Sequence, residues 1–187
     1  MPTIRIAPPD DPAALEAACD AAASFDWIVV TSANGAHAFL SRLAERGTLG
    51  ALAKGRMCAV GPSTRDAVEG YGIRVDVMPA EYRADALLAA IGAADDLRGR
   101  RVLLPRGQLA RPELPDVLRA AGAEVHDVVA YRTIPADEAA SPEIGRLLGE
   151  RIDAVTFTSA STVRNLNSSA IEPYSRSSAR WYARKLS

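Results

Sequence analysis

The chain has 187 residues, 48% hydrophobic and 24% charged, with a formal net charge of −1. That apolar content can bury a sizeable core in one or two domains, and the near balance of charge argues against a nucleic-acid-binding module, which carries a basic excess or stripe. No run approaches about 18 consecutive apolar residues, so no segment reads as a membrane span, and the amino terminus lacks the cationic stretch and apolar run of a signal peptide. In chain order, TIRIA (3–7) reads as a short strand. Residues 11–24 read as an alanine-rich helix opened by Asp11 as N-cap, with Pro12 at the first helical position. WIVVTS (27–32) is a buried strand, followed by a helix from Ala36, the strand RMCAVG (56–61) and a helix over 63–69 closed by Gly70. IRVDVMP (73–79) alternates as a strand does, and 81–91 reads as a helix. RVLLPRG (101–107) is a strand ending in Pro-Arg-Gly, and 113–121 a helix stopped by Gly122. AEVHDVVAYRTIP (123–135) is one long strand, of a length that suits a connector between domains. Residues 136–151 read as a charged helix, and from Asn167 the serine-rich sequence has no strand period and is expected to be poorly ordered or locally helical. The alternation of strands and helices points to an α/β fold with a largely parallel sheet.

One segment occurs twice. DWIVVTSA begins at Asp26 and DAVTFTSA at Asp153, 127 positions later. The same offset aligns TIRIAP with AYRTIP, matching Arg5 to Arg132 and Pro8 to Pro135, so the repeat is a whole structural unit. At this offset the partners of VLLPRG and of VGPST fall outside the chain, which predicts one complete unit and a fragment of a second.

Each copy runs an apolar strand into a Thr-Ser turn and then a helix-like segment, where backbone N–H groups collect and can hold an anion. Four strand ends together present hydroxyls and exposed amides: Thr31-Ser32-Ala33-Asn34, Gly61-Pro62-Ser63-Thr64, Pro105-Arg106-Gly107 and Thr158-Ser159-Ala160-Ser161. In open parallel sheets ligands bind beyond the carboxyl ends of the strands, so these turns are expected to line one rim suited to a polyanionic substrate. Helix capping alone also accounts for each Ser and Thr. His37 and His126 have no ligand-spaced partners, so no metal centre is expected, and there is no P-loop or dinucleotide fingerprint. Cys19 and Cys58, without CxxC spacing, read as buried free thiols of a reducing, cytoplasmic compartment.

DWIVVTSANG, AVGPSTRDAVEGYG, RVLLPRG with LPDVLRAAGAEV, VVAYRTIP and DAVTFTSASTV, in this order over residues 3–166, resemble the uroporphyrinogen-III synthase family. The resemblance implies closure of hydroxymethylbilane to uroporphyrinogen III, with inversion of the last ring and loss of water, in porphyrin and heme biosynthesis. It implies a flavodoxin-like parallel-sheet domain at 7–130. A partial second domain of the same type, from 1–6 and 131–187, is implied to join it through a two-strand linker, with the active site in the cleft between the two. No metal or organic cofactor is implied. Tyr131 is the residue implied to assist departure of the substrate hydroxyl, a phenol being an O–H donor at neutral pH. Its other reading is a linker aromatic that only packs. Ser32, Thr64 and Ser159 are the positions implied to hold the substrate, and the rim of turns adds Ala33, Gly61, Ser63 and Arg106 to them.

Against the family pattern the sequence lacks the opening strand and helix and the second Gly-Pro-Ser/Thr-Thr loop, and the change at Asn167 suggests a non-homologous tail. A chain shortened at both ends is expected to be impaired alone, unless another chain completes it. Two rival readings stand beside the enzyme: a tetrapyrrole- or anion-binding module without turnover, and a regulatory domain derived from the same fold. The sequence leaves oligomeric state open.

Overall fold

The computed structural model describes residues 4–81, 83–110 and 112–135. The chain divides into two units, Ile6–Thr133 and Met1–Arg5 with Ile134–Ser187. The described residues lie almost wholly in the first. The expected helix over 136–151, the second Thr-Ser strand, Ser159 and the tail from Asn167 lie outside the described residues.

The elements are β1 (Ile4–Ala7), α1 (Ala13–Asp20), β2 (Trp27–Val30), α2 (Ala33–Glu45), β3 (Arg56–Ala59), α3 (Pro62–Glu69), α4 (Ala84–Gly92), β4 (Arg101–Gly107), α5 (Glu113–Ala120) and β5 (Glu124–Pro135). Two short 3₁₀ turns complete the path: Ala22–Ser24, where the helix expected to run to Ser24 has already ended at Asp20, and Leu49–Lys54, which was not expected from the sequence. The strands form one sheet in the order β1-β5-β4-β2-β3. β2 pairs in parallel with β3 on one side and β4 on the other, and β4 pairs in parallel with β5. The α/β reading with a parallel sheet is thus observed.

Alternation within the strands assigns the two faces. Ile28, Val30, Met57, Leu103, Val128 and Ala130 point to one side, where they pack with Leu15, Phe39, Leu40, Leu43 and Val68 of α1, α2 and α3. Trp27, Val29, Cys58, Val102 and Leu104 point to the other, against Leu87, Ile91 and Leu118 of α4 and α5. All four residues of β2 are buried, as a strand covered on both faces must be, and this is why its sequence shows an unbroken apolar run rather than alternation. The cysteines are buried and unpaired. Burial pushes the Cys58 thiol up to about 12.

Local chemistry starts and stops the elements. The Asp11 carboxylate accepts the N–H of Ala13 at 2.9 Å while Glu16 N–H bonds the Pro12 carbonyl, so the Asp-Pro start is realised with regular helix from Ala13. Gly122 takes φ 92° after α5, a left-handed turn that glycine adopts without a Cβ penalty. One expected strand is not formed. Of IRVDVMP, only Val77 bridges to the sheet, opposite Cys58. The Asp76 carboxylate accepts Met57 N–H at 2.9 Å, so a side chain takes the place of a ladder carbonyl. Asp76 and Val77 N–H both turn to the Met57 carbonyl. A short crossing thus covers β3 where alternation suggested a full edge strand.

Candidate functional site

The order of connections makes a topological switch point at the ends of β2 and β4. β2 leads into α2, which packs on the α1/α3 face, whereas β4 leads into α5 on the opposite face. Where helices from adjacent parallel strands leave in opposite directions, the strand ends are left uncovered, and ligands of open α/β sheets bind at that switch point.

Ser32 stands at this point. Its backbone is extended (φ −155°, ψ 153°), and its Oγ accepts the N–H of Gly35 at 3.0 Å, capping α2. The same Oγ lies 3.1 Å from the Tyr131 hydroxyl, 99 residues away in sequence. Strand geometry alone does not bring that phenol here. Val128 and Ala130 face the α1/α2/α3 side, so simple alternation sends residue 131 to the other face. The β4–β5 register, however, shifts between Arg106, paired with Val129, and Gly107, paired with Tyr131. Ala130 is the extra residue of a bulge, and a bulge re-aims the side chain that follows it. Tyr131 therefore packs on the same face as Ala130 and reaches α2.

Two glycines make room. A Cβ on Gly107 would stand 2.8 Å from Cζ and 3.0 Å from the hydroxyl of Tyr131, so the ring lies directly on the bare backbone of β4. A Cβ on Gly35 would stand 2.7 Å from the Pro105 carbonyl oxygen, so the first turn of α2 sits against the end of β4.

The other expected site residues are placed as follows. Ala33 is half-buried in the first turn of α2. Gly61 is the buried N-cap of α3, Pro62 its first residue, Ser63 exposed and Thr64 buried at 4% exposure, with the N–H groups of Thr64 and Arg65 on the Gly61 carbonyl. Arg106 is committed to Asp127 of β5 by a two-pronged ion pair in which the Arg106 side chain is 13% exposed. The hydrogen bond from Arg106 to Asp127, then the attraction of that carboxylate, raise the guanidinium above its ordinary range against the opposing cost of burial. The structure thus brings Ser32 and Tyr131 into contact, with Arg106 one residue before Gly107. It gives no bond from Thr64 or Ser63 to either.

Gly35, Gly107 as the bed of the ring, and Asp127 were not singled out as site residues from the sequence. Gly35 carries a signal in hindsight: glycine in a helix costs about 1 kcal/mol against alanine, so it needs a close approach to justify it. Among the described residues no group of three or more His, Cys, Asp or Glu could hold a metal ion, and no helix is long and apolar enough to cross a membrane. A separate cavity of about 570 Å³ lies between the Leu49–Lys54 turn and residues 71–76, with Leu52, Met57, Tyr71 and Asp76 in its wall. None of the described site residues line it.

The profile of the uroporphyrinogen-III synthase HemD family matches residues 1–183. The chain belongs to the uroporphyrinogen-III synthase family. The match runs beyond Asn167, where the sequence had suggested that homology ends. The chain is 37% identical over 155 residues to a Methanothermobacter thermautotrophicus protein assigned provisionally by name to this synthase, covering 81% of this chain and 60% of that one. It is 30% identical over 166 residues to the uroporphyrinogen-III synthase of Synechococcus elongatus, covering 88% and 62%. The chain thus spans about 60% of the length of these curated relatives. A mutant uroporphyrinogen III synthase from the extremely thermophilic bacterium Thermus thermophilus has a similar fold, with TM-score 0.61 at 23% identity over 92% of this chain and 67% of that one.

Proposed function

We propose that this uroporphyrinogen-III synthase family chain catalyses the family's cyclisation, closing hydroxymethylbilane to uroporphyrinogen III with inversion of the last ring and loss of water. The observation that carries this reading is the Tyr131 phenol held 3.1 Å from Ser32 at the β2/β4 switch point. In this role the phenol donates its proton to the departing hydroxyl, which leaves as water. The pyrrole nitrogen's electron pair forms the azafulvene and carries the positive charge. Attack by the substituted carbon of the last ring gives a spiro intermediate, which reopens and closes in the inverted sense. The proton lost at the final aromatisation returns to the tyrosinate, so the phenol is regenerated. Unassisted closure gives the non-inverted isomer, and holding the flexible bilane in the inverting geometry is the main task left to the protein.

The substrate's carboxylates are anions that suit the first turns of α2 and α3. Ala33 and Ser63, which solvent reaches, are assigned to them, with Gly61 and Thr64 shaping the turn around Ser63 and Arg106 positioned by Asp127. Ser159 is assigned to the same task from the second copy of the turn. In this reading the unit is a flavodoxin-like domain over 7–130, with 1–6 and 131–187 supplying linker strands and a partial second domain.

The test is incubation of the purified chain with freshly generated hydroxymethylbilane, followed by oxidation and separation of the porphyrin isomers. An excess of type III over the enzyme-free control is expected. Type I alone contradicts the reading, and saturable binding without type III identifies a binding module instead.

A further inference from the structure

Ser32 was expected to hold the substrate, yet its hydroxyl already has two neighbours. One lone pair accepts Gly35 N–H at 3.0 Å, and the remaining proton or lone pair meets the Tyr131 hydroxyl at 3.1 Å. A hydroxyl has one donor and two acceptor sites, so little of Ser32 is left for a ligand. Tyr131 in turn has its ring laid on Gly107, at a point of β4 where any other residue would place a carbon within 3 Å of the ring. The bulge at Ala130 turns the ring to this face. Three independent features of the fold therefore converge on one phenol: an N-cap, a gap in a strand and a register shift.

We propose that Ser32 and Gly107 are positioning residues for Tyr131, Ser32 tethering the phenol to the first turn of α2 and Gly107 providing the bed that lets the ring lie there. This rests on the reading of Tyr131 as the proton donor. With Ser32 donating to the phenol oxygen, the phenol's own proton stays free for the leaving group. The chain of donors then runs from Gly35 N–H through Ser32 to Tyr131, starting at the positive end of a helix. Ser32 acts on the reaction through Tyr131 and not by holding carboxylates.

The experiment uses the full chain labelled with carbon-13 at tyrosine Cζ, with the Tyr131 resonance assigned by Tyr131→Phe, together with steady-state kinetics on hydroxymethylbilane. Ser32→Gly removes the hydroxyl while retaining most of the capping, because glycine is tolerated at N-cap positions. It is expected to move the Tyr131 resonance and lower kcat by about tenfold, the worth of one well-placed hydrogen bond, with KM little changed. Ser32→Thr is expected to restore both. Gly107→Ala displaces the ring and is expected to lower kcat by about a hundredfold. In a Tyr131→Ala background, where no ring is present, Gly107→Ala is expected to leave the melting temperature unaltered. An unmoved resonance in Ser32→Gly, or a moved one with wild-type kcat, overturns the proposal, as does a rise in KM with kcat unchanged. Absence of type III product from the wild-type chain defeats the assigned reaction instead, and the resonance shifts still report whether Ser32 and Gly107 hold the phenol.

Discussion

The turns after β2 and β3 have the same formula in sequence, an apolar strand, a Gly/Ser/Thr turn and a helix, yet the fold uses them differently. After β2, Ser32 caps α2 with its side chain and touches Tyr131, and the helix start is pressed against β4 through Gly35. After β3, α3 has no side-chain cap: Gly61 holds the N-cap position, Pro62 opens the helix, Ser63 faces solvent and Thr64 is buried. The difference follows from position in the sheet. β2 is an interior strand, with β4 on the side away from β3, so its turn lies at the switch point. Among the described residues β3 is the last strand, flanked on its outer side by the single Val77 bridge. A turn formula shows where a helix starts, and sheet order decides what it faces.

Cys58, on the strand leading to the second turn, is predicted to show the greatest loss of stability. With Cys58 pushed up to about 12 by burial against an ordinary value of 9.0, the unfolded chain releases the thiol proton first as pH rises. Stability is therefore intact below about pH 9 and falls between 9 and 12, by up to about 1.4 kcal/mol per unit. Denaturant melts across this range, with and without Cys58→Ala, measure it. If β3 were open at its edge, the two profiles would coincide. Next, Gly35→Ala forces a methyl against the Pro105 carbonyl and is expected to cost about 1–3 kcal/mol, since overpacking at a close approach is relieved only by backbone movement. Urea unfolding with no loss would mean that α2 is not seated on β4. Smallest is the pair Ser32→Ala and Ser63→Ala. The first removes a cap and is expected to cost about 1 kcal/mol, the second, at an exposed position, less than about 0.5 kcal/mol. Equal losses would erase the distinction between the turns.

Much of the fold is legible in the residues because burial dictates it. WIVV and VLL read as strands because both faces are covered, and Asp11-Pro12 and Gly122 mark helix ends through local bonds that a short window contains. The IRVDVMP alternation misled because Asp76 spends its carboxylate on Met57 N–H, a contact made 19 residues away. The site was half legible. Ser32 and Tyr131 stand out by motif, but their contact depends on strand order and on the bulge at Ala130, neither of which leaves a mark in AYRT. The commitment of Arg106 to Asp127 is equally long-range, joining residues on neighbouring strands 21 positions apart.

The proposed reaction depends on the phenol beside Ser32 as proton donor of the cyclisation. Steady-state kinetics of Tyr131→Phe, read with its melting temperature, tests it most directly. A fall in kcat of about 10²- to 10⁴-fold in a protein that still melts cooperatively near the wild-type temperature is predicted, the range ordinarily supplied by a general acid. A Tyr131→Phe chain that folds and yields type III isomer at the wild-type rate contradicts the account.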